Sequence, residues 1–290
     1  MLTTNKDRLV QIAVSGPVAH SMASSPYRIM TDGTPITLPG TGGITYNVKV
    51  GDPACGWVAD HVEPGVSLRH KDEKENAGLH TLACVGNVAT VVSGEAKGAK
   101  GFVTGKHGGI NHVLVHFDRE TLEKMAIGDK VQIRGWGTGL KILEAPEVTV
   151  MNLDPELLEK MDLKVVDGVL EVPVTTFIPP YLMGSGIGAS TCHTGDYDIM
   201  THDPEAYEQC GLDKLRLGDL VLLQDCDNQY GRGYLKGAVS VGVVVHSDCV
   251  ITGHGPGVTT LFTCKKPLIR GIKSDTANIT HWGRFLVDDF

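Results

Sequence analysis

The chain has 290 residues with 26 basic and 34 acidic side chains, a net charge of −8, 41% hydrophobic residues and 21% charged ones. That composition excludes a disordered chain, and the length fits one large domain or two modest ones. Dispersed basic residues on an acidic chain argue against a nucleic-acid partner. The first 14 residues lack the charged, apolar and small regions of a signal peptide. The longest apolar run, residues 238–245, falls far short of the roughly 20 residues that span a bilayer, so no membrane partner is expected and the chain reads as cytoplasmic. Seven cysteines without a C-x-x-C pair suggest reduced thiols rather than a disulfide framework or zinc ribbon.

Thirty-six glycines and 6% aromatic residues point to turns and short strands. A first strand over 9–14 stops at Ser15-Gly16-Pro17. A second, alternating over 44–50, closes at Gly51-Asp52-Pro53. Residues 84–85 and 88–92 flank Gly86-Asn87, a tight hairpin signal. Asp118 caps a short helix over 119–125. Asp154-Pro155-Glu156 and Asp203-Pro204-Glu205 open two more, each with an acidic cap before proline at the first helical position. Residues 163–166 and 169–172 flank Asp167-Gly168, the clearest hairpin signal of the chain. Residues 238–246 and 258–264 read as core strands.

The fold class expected is therefore α+β and β-rich, with mixed or barrel-like antiparallel sheets and a few short helices. Residues 122–133 align without gaps on 212–223, each piece reading as a helix end, a Gly-Asp turn and a strand. The same offset sets Thr104-Gly105 on Thr194-Gly195 and His112 on His202. Duplication and convergence explain this echo equally well. It suggests two related β-rich halves, 1–150 and 151–290, joined by a linker over 144–152.

Chemistry concentrates at glycine-flanked strand ends, where backbone and ligand can approach closely. Thr104-Gly105-Lys106-His107-Gly108-Gly109-Ile110-Asn111-His112, continuing to His116, hangs three imidazoles and an amide on one turn. His112 and His116 would lie roughly 13 Å apart on a strand rising about 3.3 Å per residue. They cannot share an ion bound at about 2.0–2.1 Å. Gly108-Gly109 can instead fold the chain back and bring His107 and His112 together. Each histidine alone reads equally well as a satisfied turn or core residue. Three within ten residues, beside glycines, tip the balance toward a site. In the second half, His193 and Asp196 bracket a turn at a spacing compatible with a shared ion, and Asp198 follows.

His61 and Glu63 share a face if extended, as an acid/base pair or as an orienting carboxylate for a metal-bound imidazole. His246-Ser247-Asp248 and the glycine-walled His254 are further candidates. Cys192 and His193 point to opposite faces of an extended chain, which argues against thiol catalysis. Gly184 to Ala189 matches G-x-G-x-x-A without the strand and helix that a dinucleotide site needs, leaving at most an anion-binding backbone. Asp225 to Gly231 begins like a calcium loop, but Lys236 stands where the bidentate Glu belongs.

Residues 105–116 with their Gly-Asp strand entry, 59–65, 184–198 and 243–257 together resemble an uncharacterised prokaryotic family known as a domain of unknown function. That likeness implies no activity. Gly108-Gly109-Ile110-Asn111 and Glu63-Pro64-Gly65 also resemble acetamidase/formamidase-type amidases, which implies a β-rich hydrolase.

The leading expectation is a small-molecule enzyme that hydrolyses an amide-like bond with a divalent metal ion. His107, His112, His193 and Asp196 are its candidate ligands, and His61, Glu63 and Asn111 its candidate catalytic residues. The alternatives are a metal-free protein that binds or senses an anionic metabolite, and a structural assembly protein. Homo-oligomerisation is compatible with exposed strand edges.

Overall fold

Local rules are obeyed at three aspartate caps and at one two-residue turn. In the computed structural model, which describes residues 2–23, 25–184 and 188–283, three short helices start where an aspartate is followed by a helical run. Arg119–Lys124, Pro155–Lys160 and Pro204–Gln209 are capped by the side chains of Asp118, Asp154 and Asp203. Asp167 (φ 51°) and Gly168 (φ 78°) turn Lys164–Val166 back onto Val169–Val174, the left-handed pair that a two-residue hairpin requires.

Other expectations change. Glu73–Leu82 is the longest helix among the described residues, although the sequence reading left it out; Asp72 caps it by accepting from the N–H groups of Lys74 and Glu75. No hairpin forms at Gly86-Asn87. The Asn87 side chain instead accepts from Cys84 N and donates to Asp154 and to the Trp136 carbonyl, so the turn is anchored to distant chain. The strand expected over 44–50 shrinks to Ile44–Thr45, and the first strand shifts to Ile12–Pro17.

A seven-stranded antiparallel sheet, curled into a half-barrel, collects the first half. Its order is Ile12–Pro17, Lys130–Gly135, Val88–Val91, Lys100–His107, His112–His116, Gly65–Leu68 and Ile44–Thr45. A five-stranded sheet runs Thr149–Val150, Val258–Cys264, Gly233–Val244, Leu220–Asp227 and Thr176–Ile178, the last pair parallel. Lys164–Val166, Val169–Val174 and Ile269–Lys273 form a third sheet, and Arg28–Ile29 pairs with Pro35–Ile36.

The halves meet over a shared core. Val85, Phe102 and Leu114 pack in one cluster with Leu170, Val241, Val245 and Phe262. The segment 144–152, read as a linker, is woven into that packing: Val150 pairs with Phe262, and Val85 N donates to the Asn152 carbonyl. A β-carbon on Gly105 would collide with Val245, so the bare backbone there sets how closely the halves approach.

The sequence echo is real as a turn. Asp129 accepts from Ala126 N and Asp219 from Arg216 N, both at 2.8 Å, after Gly128 (φ 90°) and Gly218 (φ 89°). It stops there. Lys130–Gly135 lies between two antiparallel neighbours whereas Leu220–Asp227 has one parallel neighbour, and exposed His202 has no likeness to buried His112.

No helix among the described residues is long and apolar enough to cross a membrane.

Candidate metal centre

Alternation, a bulge and a left-handed turn bring two sets of side chains to the seam between the halves. In Lys100–His107 the register slips between Val103 and Gly105, a β-bulge that re-aims the residues after it. Lys106 then runs into the seam, and His107 pairs across the strand with His112. From the other side, residues 196–199 lie beside 256–258, with Tyr197 and Val258 exchanging backbone bonds. Tyr197 and Ile199 enter the core, so Asp196 and Asp198 share the opposite face. His246 follows the end of Gly233–Val244, and Gly257 leaves it room: a β-carbon there would land on both Asp196 Oδ2 and His246 Nε2.

His107, Asp196 and His246, all buried, each offer a donor atom within 4.8 Å of the others. The two imidazole rings stack with centroids 4.1 Å apart, and His246 Nε2 is 2.7 Å from Asp196 Oδ2. The second oxygen of Asp196 accepts from Gly108 N at 2.6 Å, which fixes the carboxylate. His61, Asp198 and His254 form a neighbouring group at the same mutual reach. There Asp198 Oδ2 lies 2.8 Å from His254 Nδ1 and 3.7 Å from His61 Nε2, while Oδ1 is 3.6 Å from His246 Nε2. Asp60, His61 and Cys249 make a third such group, but Cys249 Sγ already donates to Asp60 and Arg28 pairs with the same carboxylate.

The ring nitrogens facing away from the first two groups are tied down. His107 Nδ1 donates to Glu63 Oε1 at 2.5 Å, His246 Nδ1 to the Ser247 carbonyl at 2.8 Å, and His61 Nδ1 reaches Asp60 Oδ1 at 3.1 Å. Engaging Nδ1 in this way leaves Nε2 for an ion and raises its basicity.

Charge follows the same pattern. Burial opposes charge on His246, but Asp196 and Asp198 outweigh it and carry its pKa up to about 10. His61 is carried to about 12, burial again being overcome, here by bonds to Asp198 and Asp60. Burial would raise the Glu63 pKa, yet His112 and His107 hold it well below the usual carboxylate range.

The expected site residues separate. Glu63 is fully enclosed by four donors, His107, His112, Ser67 Oγ and Gly42 N, so it is an orienting carboxylate with no room to act as a base. His61 adopts φ 53°, which breaks the extended run and turns it away from Glu63 toward Asp60 and Asp198. His112 lies behind Glu63, bonded through Nδ1, its buried Nε2 without a hydrogen-bond partner, and it stands in none of the three groups. His193 also stands outside them and contributes its backbone carbonyl to Lys106 Nζ. Asn111 occupies a left-handed turn position (φ 60°) and gives its carbonyl to Asn76. Of the expected ligands, His107 and Asp196 are brought together.

Asp198, His246 and His254, outside that leading set, complete the centre. Their sequence signals are Asp-Tyr-Asp alternation and a histidine closing a long apolar strand. Part of the proposed anion cradle, residues 185–187, lies outside the described residues. A cavity of about 810 Å³, lined by Pro53, Cys210 and Lys214 among others, does not include these histidines.

A solved structure described as the crystal structure of TM1086 is 53% identical to this chain, covers 97% of it and 99% of its own length, and superposes with a TM-score of 0.93. No curated protein matches the chain, and none of these matches carries the amidase likeness. Two family models do match, one for each half: domain of unknown function DUF4438, N-terminal, over residues 27–159, and its C-terminal counterpart over 160–282. The chain belongs to the DUF4438 family.

Proposed function

We propose that this protein is a metal-dependent hydrolase of small amide-like substrates, with a divalent ion held by His107, Asp196 and His246. The observation that carries this reading is the shared anchoring of three imidazoles. His61, His107 and His246 each have Nδ1 fastened to an acceptor, the arrangement that fixes the tautomer of a metal-binding histidine. Such an ion polarises a carbonyl and lowers the pKa of bound water.

The protein's own part is positioning. Glu63 holds His107, Gly108 N–H holds Asp196 and the Ser247 carbonyl holds His246. These supports come from rigid strands and their ends, so the donor set is organised before any ligand arrives. The His254 side chain, 36% exposed, marks the open side, whereas the His107 and His246 side chains are 9% and 0% exposed. A centre this deeply set suits a small substrate.

Protein stripped with a chelator and reloaded with zinc, manganese or cobalt is the test, assayed for ammonia release from formamide, acetamide and related small amides. Metal restores hydrolysis if the reading is right, and His246→Ala loses both bound metal and activity. A protein that binds none of these ions overturns the metal centre. One that binds metal and hydrolyses no amide overturns the substrate class.

A further inference from the structure

The second ligand group is as complete as the first, and one carboxylate touches both. Asp198 turns Oδ1 toward His246, at 3.6 Å from Nε2, and Oδ2 toward His61 and His254, at 3.7 and 2.8 Å. The His61 ring lies 5.0 Å from that of His246 and 5.6 Å from that of His107. Each group offers two imidazoles and one aspartate, a donor set suited to borderline divalent ions such as zinc or cobalt.

We propose that the centre binds two divalent ions, one at His107, Asp196 and His246 and one at His61 and His254, with Asp198 bridging them. This rests on the metal-centre reading above and adds the second ion. A bridging carboxylate offers one oxygen to each metal, and two-metal hydrolytic sites hold their ions about 3.5–4 Å apart. That spacing fits an aspartate whose two oxygens face different histidine pairs.

The surroundings support the second position separately. Asp60 accepts from His61 Nδ1 and is itself held by Arg28 Nε at 2.9 Å and Cys249 Sγ at 2.9 Å. It therefore orients His61 from behind, as Glu63 orients His107. Of the two ions, the one beside His254 would lie nearer the open side, since that side chain is 36% exposed. Two ions held there would lower the pKa of a water between them, whose first proton would pass to bulk solvent and whose second would pass to the departing amine nitrogen.

The test is metal stoichiometry on the full chain, with cobalt and manganese as probes. Chelator-stripped protein titrated with cobalt should take up two ions per chain by mass spectrometric metal analysis. His254→Ala should keep one, with unchanged far-UV circular dichroism, and Asp198→Asn should weaken the second ion by at least tenfold. Two manganese ions sharing a carboxylate give a spin-coupled paramagnetic resonance spectrum, and His254→Ala should convert it to that of an isolated ion.

One ion in the wild-type protein, unaffected by His254→Ala, would overturn the second site and leave the metal centre standing. No ion at all would overturn both. Two ions with uncoupled spectra would overturn the bridge. His254→Gln, which keeps polarity and volume closer, serves the same purpose if the alanine variant does not fold.

Discussion

Glu63 is buried, and it is the side chain on which the two imidazoles of His107 and His112 converge. Its oxygens take His107, His112, Ser67 and Gly42 N. Glu63→Gln keeps the shape but replaces one acceptor by an amide that cannot accept from an imidazole N–H. We expect metal affinity to fall about 10–100-fold, as for other lost supports of a ligating histidine. Stability should fall by ~1–3 kcal/mol for the buried donor left unpaired. Metal titration and urea unfolding of the variant measure the two effects, and unchanged affinity would remove Glu63 from the centre. Gly257 has a similar hidden role. In Gly257→Ala the new methyl group meets Asp196 and His246, so the variant should lose metal binding in equilibrium dialysis while its circular dichroism stays close to wild type.

Legibility at this scale was partial for a physical reason. Residues 61–63, 107–112 and 193–198 stood out because glycines, histidines and acids cluster locally there. Their grouping could not be read. His112 looked equivalent to His107, and only the arrival of Glu63 from 44 residues away places one imidazole in front of a carboxylate and the other behind it. His246 was under-ranked because nothing near it in sequence shows that Asp196 meets its Nε2.

Elements governed by their own residues were easier to read. Asp118, Asp154 and Asp203 announced their helices because a cap acts on the next three N–H groups. Helix Glu73–Leu82 was missed because its apolar positions are sparse; the usable signal was Asp72 with Glu75 three residues on. Removing that cap in Asp72→Ala should cost about 1 kcal/mol, read as a lower urea midpoint, since capping losses centre on that value. A variant as stable as wild type would show that packing of Leu79 alone holds the helix. Sheet order was beyond sequence reading, because Val88–Val91 pairs not only with the next strand, Lys100–His107, but also with the distant Lys130–Gly135.

For the whole molecule, acid stability follows from two histidines outside the centre. Burial lowers the pKa of His80 to about 3, assisted by the positive charge of Lys106, and burial lowers that of His116 to about 4. Both are neutral when folded and titrate near 6.5 when unfolded. Their contribution is complete above pH 6.5 and is lost as pH falls toward the folded values, because the unfolded chain takes up protons first. Between pH 6.5 and 5 each should remove up to ~2 kcal/mol, at about 1.4 kcal/mol per pH unit. His80→Gln, whose amide can still donate to the His112 carbonyl, should lose correspondingly less stability over that interval in urea unfolding at pH 7 and 5. Equal losses in the two proteins would place His80 in a charged form in the native state.

The proposed ligands come in two runs, 61 and 107 from the first half, then 196, 198, 246 and 254 from the second. During synthesis, then, a growing polypeptide would hold a curled sheet with lone imidazoles long before it held a centre. Only after residue 254 has left the ribosome would the last donor of a two-ion centre arrive, so a chain cut before it would hold at most the first ion.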